Sequence, residues 1–340
     1  MASESSFNEF EIDDRILKAV AKLRWPQPTP VQKKAIPLAL QGKDIIVRAQ
    51  TGSGKTGAYF IPIIEKILKS KASGATPSSD ADGENDKMFT LVLVPSKELC
   101  KQAYRVCVDL LAYCSKLVSV VDIGNAQVNS VTQLVGAADI VIGTPSKLLA
   151  HINNKTIDLQ KHMKFIVIDE ADIMFSYGYE HDLKLLVTHL PKIYQALLVS
   201  ATMSSDVENL KGLILHNPVV LHLEESDVPD DDKLKQYVVR CEASDKFLLG
   251  YALFKLNLIR GKSLIFVNTI DKCYRLKLFL EQFYIRTCVL NAELPQSVRV
   301  HVVDEFNRGV YDIVIATDES ISIDTNVSLP RKVSHRCESN

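Results

Sequence analysis

The sequence lacks the features that would place it in a membrane, secreted or zinc-binding class. No apolar run approaches the roughly 20 residues that a transmembrane helix needs. The N-terminus is polar and acidic rather than a signal peptide, and the seven cysteines form no C-x-x-C pair and no zinc-spaced cluster with histidine. We therefore expect an intracellular, soluble protein with reduced thiols and no membrane contact.

The sequence also lacks an excess of charge of either sign. It contains 40 Lys and Arg against 41 Asp and Glu, a formal net charge of −1. Any binding of nucleic acid would therefore depend on local basic side chains and helix N-termini, because no global basic field is present. A length of 340 residues and a hydrophobic fraction of 46% are typical of a globular protein with two domains.

The stretch AQTGSGKT, residues 49–56, predicts a phosphate-binding loop between a β-branched strand and a helix. Small residues let backbone N–H groups approach phosphates, Lys55 supplies positive charge, and the Thr56 hydroxyl can bind Mg²⁺. The general pattern has Gly where Ala49 stands, so a glycine-containing turn with a chance Lys-Thr pair is the alternative. The residues expected to surround the phosphates are Thr51, Gly52, Ser53, Gly54, Lys55 and Thr56.

The stretch KFIVIDEAD, residues 164–172, predicts a buried strand that ends in acidic residues. Adjacent carboxylates at such an end are costly unless a cation or proton transfer uses them. Asp169 can bind Mg²⁺ through water, and Glu170 can polarise a water for attack on a γ-phosphate. Together with the phosphate-binding loop, this pattern favours a hydrolysable nucleotide over a solvated strand end.

Trp25 and Gln32 flank a proline-rich turn that precedes the phosphate-binding loop. Thr29 and Pro30 are placed to begin a helix there. The Gln32 amide can pair with an adenine edge, and Trp25 offers a flat face for stacking. For this stretch alone, a capped helix with a buried tryptophan is the simpler alternative.

Two further predicted strands end in a helix start that carries a hydroxyl and a lysine. One ends in PSKE and the other in TPSK about 50 residues later. Such helix starts suit phosphates, so the pair predicts one surface that follows a nucleic-acid backbone, with ordinary N-caps as the alternative. The residues concerned are Pro95, Ser96, Lys97, Glu98, Thr144, Pro145, Ser146 and Lys147.

Ser200 and Thr202 follow another predicted strand, 197–199. Two hydroxyls on either side of an alanine at a strand exit are suited to hydrogen-bond neighbouring carboxylates.

The alternation of strands and helices predicts an α/β protein with two parallel sheets. The second sheet begins after an acidic stretch that we interpret as a linker. Its predicted elements are a helix at 247–258, a strand at 263–267, a helix at 273–283, a strand at 287–290, a helix at 298–306 and a strand at 312–317. Low-complexity composition predicts a disordered loop at 70–87 and a disordered tail at 319–340.

The order and spacing of these motifs resemble the DEAD-box RNA helicases over about residues 7–318. The resemblance implies two RecA-like parallel-sheet domains in tandem, the second of them C-terminally truncated. The implied segments are an adenine-recognition (Q-motif) segment at 1–33, an ATP-binding domain at 34–222, a linker at 223–236 and a partial C-terminal helicase domain at 237–318.

The resemblance also implies individual roles. Trp25 and Gln32 would recognise adenine, and Asp169 would hold Mg²⁺. Glu170 would act as the base for the attacking water, and Lys55 would contact the phosphates. The residues that would couple nucleotide state to domain movement are Asp172, Ser200, Thr202 and Asp318. Those that would contact RNA in the second domain are Thr269, Arg299 and Thr317.

The implied activity is ATP-dependent local unwinding of RNA without sequence preference. The longer segments look closest to the nucleolar branch that assists assembly of the large ribosomal subunit. On that resemblance we expect a monomer in the nucleus or nucleolus, with pre-ribosomal particles as partners.

The sequence departs from the family at several positions. Arg24 stands where the family has Gly, and Asn291-Ala292 replaces His-Gly or Asn-Gly. The Arg-Gly-x-Asp and His-Arg-x-Gly-Arg-x-x-Arg segments expected after IATD are not present. We therefore expect an incomplete copy with reduced turnover. The alternatives are a nucleotide-dependent RNA-binding module that scarcely hydrolyses ATP and, less favoured, a P-loop ATPase acting on DNA or protein.

Overall fold

The computed structural model of the chain describes residues 6–73, 88–124, 138–223 and 234–318. The chain divides into two compact units, Met1–Pro229 and Asp230–Asn340. Most of the predicted loop at 70–87 and of the predicted linker at 223–236, and the whole predicted tail at 319–340, lie outside the described residues.

The first unit contains a parallel sheet with the strand order β3-β4-β2-β5-β6-β1-β7. Its strands are β1 Ile45–Arg48, β2 Phe89–Leu93, β3 Val120–Asp122, β4 Ile140–Gly143, β5 Met163–Ile168, β6 Gln195–Ser200 and β7 Val219–His222. The central strands are buried along nearly their whole length, because helices cover both faces of a parallel sheet.

Helices on the two faces of this sheet enclose two separate hydrophobic clusters. Alternation along a strand distributes its side chains between them, so that Ile45 and Val47 join one cluster and Ile46 joins the other. The helices are α1 Asp14–Lys22, α2 Pro30–Leu40, α3 Lys55–Ser73, α4 Lys97–Leu110, α5 Pro145–Asn153, α6 Leu159–His162, α7 Ala171–Ser176, α8 Glu180–Val187 and α9 Ser205–Ile214, preceded by a 3₁₀ turn at Phe7–Phe10.

The predicted loop at 70–87 is wrong for its first four residues, because α3 continues to Ser73. Its last turn is held by Lys71, whose Nζ donates to the Leu117 carbonyl at 2.6 Å and lies 2.6 Å from Asp139 Oδ1. These contacts come from distant parts of the chain and are not visible in local composition.

The second unit contains a smaller parallel sheet with the strand order β8-β10-β9. Its elements are α10 Lys246–Lys255, β8 Ser263–Phe266, α11 Ile270–Glu281, β9 Thr287–Leu290, α12 Gln296–Arg308 and β10 Ile313–Ala316. The predicted elements are confirmed in type and order. The α11 helix starts three residues earlier than predicted because the Thr269 side chain caps it, accepting from Lys272 N.

The second sheet is only partly covered by the described residues. Its hydrophobic cluster is small and centres on Cys273 and Leu280 of α11 with Ile315 of β10. At the β8 edge, Leu264 and Phe266 are 57% and 74% exposed. Among the described residues, this edge of the sheet therefore presents apolar side chains to solvent. None of the described helices combines the length and the apolar character that crossing a membrane requires.

Asp44 joins three elements at the amino-terminal edge of the first sheet. Its Oδ1 accepts from the backbone amide of Ala196 at 2.9 Å, and its Oδ2 accepts from that of His216 at 2.7 Å. The aspartate is 7% exposed, so water does not readily replace it.

We predict that Asp44→Ala lowers the free energy of unfolding of the first unit by about 2–4 kcal/mol, because two amides lose a charged acceptor. Urea unfolding followed through Trp25, the only tryptophan and part of this unit, measures the change. Asp109→Ala, an exposed position on α4, is the matched control and should change stability by less than about 0.5 kcal/mol. Equal stability of the two variants would contradict the assignment.

Candidate nucleotide-binding site

The sheet order brings the predicted motifs to one edge. Chain segments leave the carboxyl ends of β5, β6 and β1, which are adjacent strands, and those of β2, which lies beside β5, and of β4, which lies beside β2. The phosphate-binding loop follows β1, Asp169 follows β5, and Ser200 ends β6. Ligands of open parallel sheets bind at this edge.

The phosphate-binding loop depends on two glycines. Gly52 and Gly54 have φ of +86° and +90°, a conformation that favours glycine. The Ser53 hydroxyl closes the turn by donating to the Gln50 carbonyl at 2.8 Å. Ala49, where the general pattern has Gly, has a negative φ and donates its N–H to the Ser200 carbonyl at 3.1 Å, so its Cβ is tolerated.

Lys55 and Glu170 form a buried ion pair between the phosphate-binding loop and the acidic motif. Lys55 Nζ lies 3.0 Å from Glu170 Oε1 and donates to the Ala49 carbonyl at 3.2 Å. Glu170 Oε2 is buried without a hydrogen-bond partner. Burying a carboxylate oxygen without a hydrogen-bond partner costs folding free energy. Such an oxygen suits a site that takes up a water or another ligand.

Asp169 is held by one donor on each carboxylate oxygen. The Glu170 N–H donates to Oδ1 at 2.9 Å, and the Tyr59 hydroxyl donates to Oδ2 at 3.1 Å. Burial, followed by the negative charge of Glu170, raises the pKa of Asp169 to about 6. A divalent cation would favour the ionised form. Asp169 and Thr56 therefore fit a site for Mg²⁺, and in the described residues no group of three or more His, Cys, Asp or Glu offers another.

Asp172 connects the acidic motif to the end of β6. Its Oδ2 accepts from the Thr202 N–H at 3.0 Å and from the Thr202 hydroxyl at 2.8 Å. Burial would raise the pKa of Asp172, but hydrogen bonds led by that of Thr202 lower it overall. The predicted bond from a hydroxyl to a carboxylate is thus confirmed for Thr202. Ser200 differs, because its hydroxyl accepts from the Asp172 N–H and donates to the Thr202 carbonyl.

Gln32 links α2 to the phosphate-binding loop. Thr29 caps α2 through Gln32 N, and Gln32 Oε1 accepts from Thr29 N at 3.0 Å in return. Gln32 Nε2 donates to the Gly54 carbonyl at 3.1 Å. The capped helix is therefore confirmed. The Gln32 amide still has one N–H and one oxygen lone pair available for hydrogen bonds to adenine. The pairing of Gln32 with adenine stays a prediction.

Trp25 lies against the first turn of α3, and this approach depends on Gly57. A Cβ at Gly57 would lie 2.8 Å from Trp25 Cζ3 and 2.7 Å from Gln32 Nε2. Before Trp25, Arg24 has φ of +57°, which explains why the family resemblance leads us to expect glycine there. The sequence motifs do not include Gly57, although a glycine inside a helix is itself a signal, since it costs about 1 kcal/mol relative to alanine.

The two lysine-bearing helix starts lie side by side because β2 and β4 are paired, with Leu93 opposite Gly143. Ser96 caps α4 by accepting from Leu99 N at 3.2 Å, and the Ser146 hydroxyl donates to Asp182. Thr144 makes no side-chain cap. Pro95 and Pro145 are buried, Glu98 and Lys147 are half-buried, and Lys97 is exposed.

The predicted residues of the second unit collect at the carboxyl edge of its own sheet. Thr269 follows β8, and Thr317 follows β10 and donates its N–H to the Leu290 carbonyl at 3.3 Å. Asn291, which precedes the departure at Ala292, is buried, and its Oδ1 accepts from the amides of the next turn. Arg299 is half-buried on α12, and Asp318 is exposed. Their RNA and coupling roles stay predictions.

Comparison of the chain with protein-family models identifies the family to which it belongs. The family model of the DEAD/DEAH box helicases matches residues 29–210, and that of the helicase conserved C-terminal domain matches residues 245–324. The chain belongs to the DEAD/DEAH box helicase family. Its members are helicases that use ATP, and the two parallel-sheet units correspond to RecA-like domains.

Individual relatives extend this finding. The chain is 46% identical to the ATP-dependent RNA helicase dbp9 of Schizosaccharomyces pombe over 94% of its length, and 48% identical to dbp9 of Aspergillus niger over the same share. It spans about half the length of these relatives, 52% and 50% respectively.

Solved structures show the same fold. S. cerevisiae Dbp5 bound to RNA and ADP BeF3 matches with a TM-score of 0.72 and 27% identity, covering 92% of this chain and 76% of that one. A DEAD box protein from Methanococcus jannaschii matches with a TM-score of 0.56 and 28% identity, covering 92% and 80%.

We predict that Gly57→Ala shifts the fluorescence of Trp25 and weakens ATP binding about tenfold, because the added Cβ must displace Trp25 or Gln32 from the loop. Fluorescence spectra and calorimetric titration with ATP measure the two effects.

The matched control is Gly212→Ala on α9, where an added Cβ meets nothing within 4 Å. It should leave both readouts unchanged and stabilise the protein by about 0.5–1 kcal/mol. An unchanged Trp25 spectrum and ATP affinity in Gly57→Ala would refute the proposed dependence on Gly57.

Proposed function

We propose that this chain binds ATP with Mg²⁺ and grips the RNA backbone as part of an ATP-dependent RNA helicase that remodels RNA during ribosome biogenesis. One observation carries the nucleotide part: the buried pair between Lys55 and Glu170, with a contact of 3.0 Å, at the carboxyl ends of two strands separated only by β6.

The residues of the pair have separate roles once a nucleotide is present. Lys55 exchanges Glu170 for the outer phosphates, since a phosphate offers more negative charge to the same ammonium group. Glu170 is then free to orient and polarise a water for in-line attack. Thr56 and Asp169 would hold Mg²⁺, which when bound would neutralise charge that develops on the phosphates.

The change at the nucleotide is transmitted through Asp172 and Thr202. Asp172 belongs to α7, which begins directly after Glu170, and its carboxylate holds the segment after β6 by two hydrogen bonds. Movement of the acidic motif therefore moves that segment as well. Such a link between a phosphate site and a second element is what a nucleotide-driven cycle needs.

The RNA part of the proposal rests on the two adjacent helix starts, which present Lys97 and Lys147 beside β2 and β4. Phosphate contacts of this type carry no base preference. Relatives that are named ATP-dependent RNA helicases, and a Dbp5 structure whose title includes RNA, support it. We also propose nucleolar localisation, pre-ribosomal partners and a monomeric state, and these three properties are inferred from the family resemblance.

The alternative is a nucleotide-dependent RNA-binding module with little turnover. RNA-stimulated release of phosphate by this 340-residue chain separates the two functions. Hydrolysis that rises with RNA and disappears in Glu170→Gln supports the helicase, whereas binding of ATP and RNA without turnover supports the module.

We predict that Lys55→Ala weakens ATP binding at least tenfold, because the phosphates lose their charged partner and Glu170 keeps an unpaired charge. Quenching of Trp25 by ATP or calorimetry measures the affinity. Lys184→Ala, which removes an exposed lysine paired with Glu180, is the control and should bind as the wild type does. If ATP leaves Trp25 unchanged and Lys55→Ala behaves like the wild type, the nucleotide assignment is wrong.

We also predict that the double variant Lys97→Ala/Lys147→Ala weakens binding of single-stranded RNA equally for unrelated sequences and lowers the slope of log K against log salt by about 1–2. Fluorescence polarisation at several salt concentrations gives both quantities. Lys184→Ala/Lys211→Ala serves as the charge-matched control. An unchanged slope would show that Lys97 and Lys147 do not contact the RNA phosphates.

A further inference from the structure

Tyr59 is a buried polar residue that the proposed function leaves without a role. It lies on α3, three residues after Thr56, and is 1% exposed. Residues three apart share a helix face, so its position beside the phosphate-binding loop follows from the helix itself. Its hydroxyl is hydrogen-bonded to Asp169 Oδ2 at 3.1 Å.

The direction of this bond follows from chemistry. An ionised carboxylate can only accept, so the Tyr59 hydroxyl donates. A tyrosine hydroxyl is protonated at neutral pH, so it remains a donor. Through this bond Tyr59 contacts Asp169, and Thr56, the other residue that fits the Mg²⁺ site, lies three residues before Tyr59 on α3.

The second donor to Asp169 completes the geometry. The Glu170 N–H occupies Oδ1 at 2.9 Å while Tyr59 occupies Oδ2. With one donor on each oxygen, the carboxylate plane cannot rotate without breaking a bond, and each oxygen keeps lone-pair capacity for a further ligand. Without Tyr59, the orientation of Asp169 would depend on one backbone amide alone.

We propose that Tyr59 is a positioning residue for the divalent cation, with a hydroxyl that holds the Asp169 carboxylate in the orientation that binds Mg²⁺ or its water shell. The inference rests on the proposed nucleotide function. Donors behind a metal-binding group commonly change metal affinity about 10- to 100-fold when they are removed. The ring itself packs in the core, with its centroid 4.6 Å from that of Phe60, and phenylalanine would preserve that packing.

The test compares Tyr59→Phe with Tyr194→Phe in the full chain. Tyr194 is a matched control, because its hydroxyl also makes one hydrogen bond in the first unit, to the Ile214 carbonyl at 2.7 Å, and none to the nucleotide site. Calorimetric titration with ATP is made in EDTA and at a series of Mg²⁺ concentrations, and thermal unfolding is followed for each variant.

For Tyr59→Phe we expect the Mg²⁺ concentration that gives half of the gain in ATP affinity to rise about tenfold, while the affinity in EDTA stays within about twofold of the wild type. Tyr194→Phe should match the wild type in both. In an Asp169→Asn background, Tyr59→Phe should add no further change in Mg²⁺ dependence, since its effect acts through that carboxylate.

An unchanged Mg²⁺ dependence in Tyr59→Phe overturns the proposal, as does an equal loss of affinity with and without Mg²⁺, which would indicate packing only. An additive effect in the Asp169→Asn background overturns it too. If Tyr59→Phe does not fold, Tyr59→Met fills the space without a hydroxyl and supplies the same comparison. Failure of the wild type to bind ATP in any condition would instead refute the proposed function itself.

Discussion

The buried ion pair between Lys55 and Glu170 joins the phosphate-binding loop to the acidic motif. Its formation depends on the way the surrounding sheet brings these two segments together. Both groups are largely removed from water, so each would be strongly destabilised alone. The pair forms because the loop after β1 and the turn after β5 leave the same edge of the sheet. Glu170 has φ of +51°, an uncommon conformation that directs the chain from β5 into α7 at this point.

Around this pair, contacts between helix α2, helix α3 and the loop depend on small residues. Gln32 reaches the Gly54 carbonyl, and Trp25 rests on Gly57, because neither glycine presents a Cβ. The same side chains that the sequence predicts to recognise adenine thus also stabilise the phosphate-binding loop. Binding of a nucleotide and order of the loop are expected to be coupled for this reason.

The two units differ in how well their described residues are covered. The first has a hydrophobic cluster on each face of its sheet, whereas the second has one small cluster and an exposed edge strand at β8. Exposed apolar side chains such as Phe266 at a strand edge favour further association. Arg299 and Thr317 lie in this less covered unit.

Local patterns in the amino-acid sequence were sufficient for the order and type of the elements of the second unit, the phosphate-binding loop, the acidic motif and the cap at Thr29. These features depend on hydrophobic periodicity and on residues within one turn of each other. The extension of α3 to Ser73 was not predictable, because Lys71 finds its partners about 46 residues or more away.

The contacts that make the site required the folded sheet. Lys55 and Glu170 are 115 residues apart, and Tyr59 and Asp169 are 110 residues apart. No local pattern states that β5 and β1 flank β6, and that neighbour relation brings these side chains together. The phosphate-binding loop could therefore be recognised from its amino-acid sequence. The hydrogen-bond donor that Tyr59 supplies to Asp169 could be identified only from the tertiary structure.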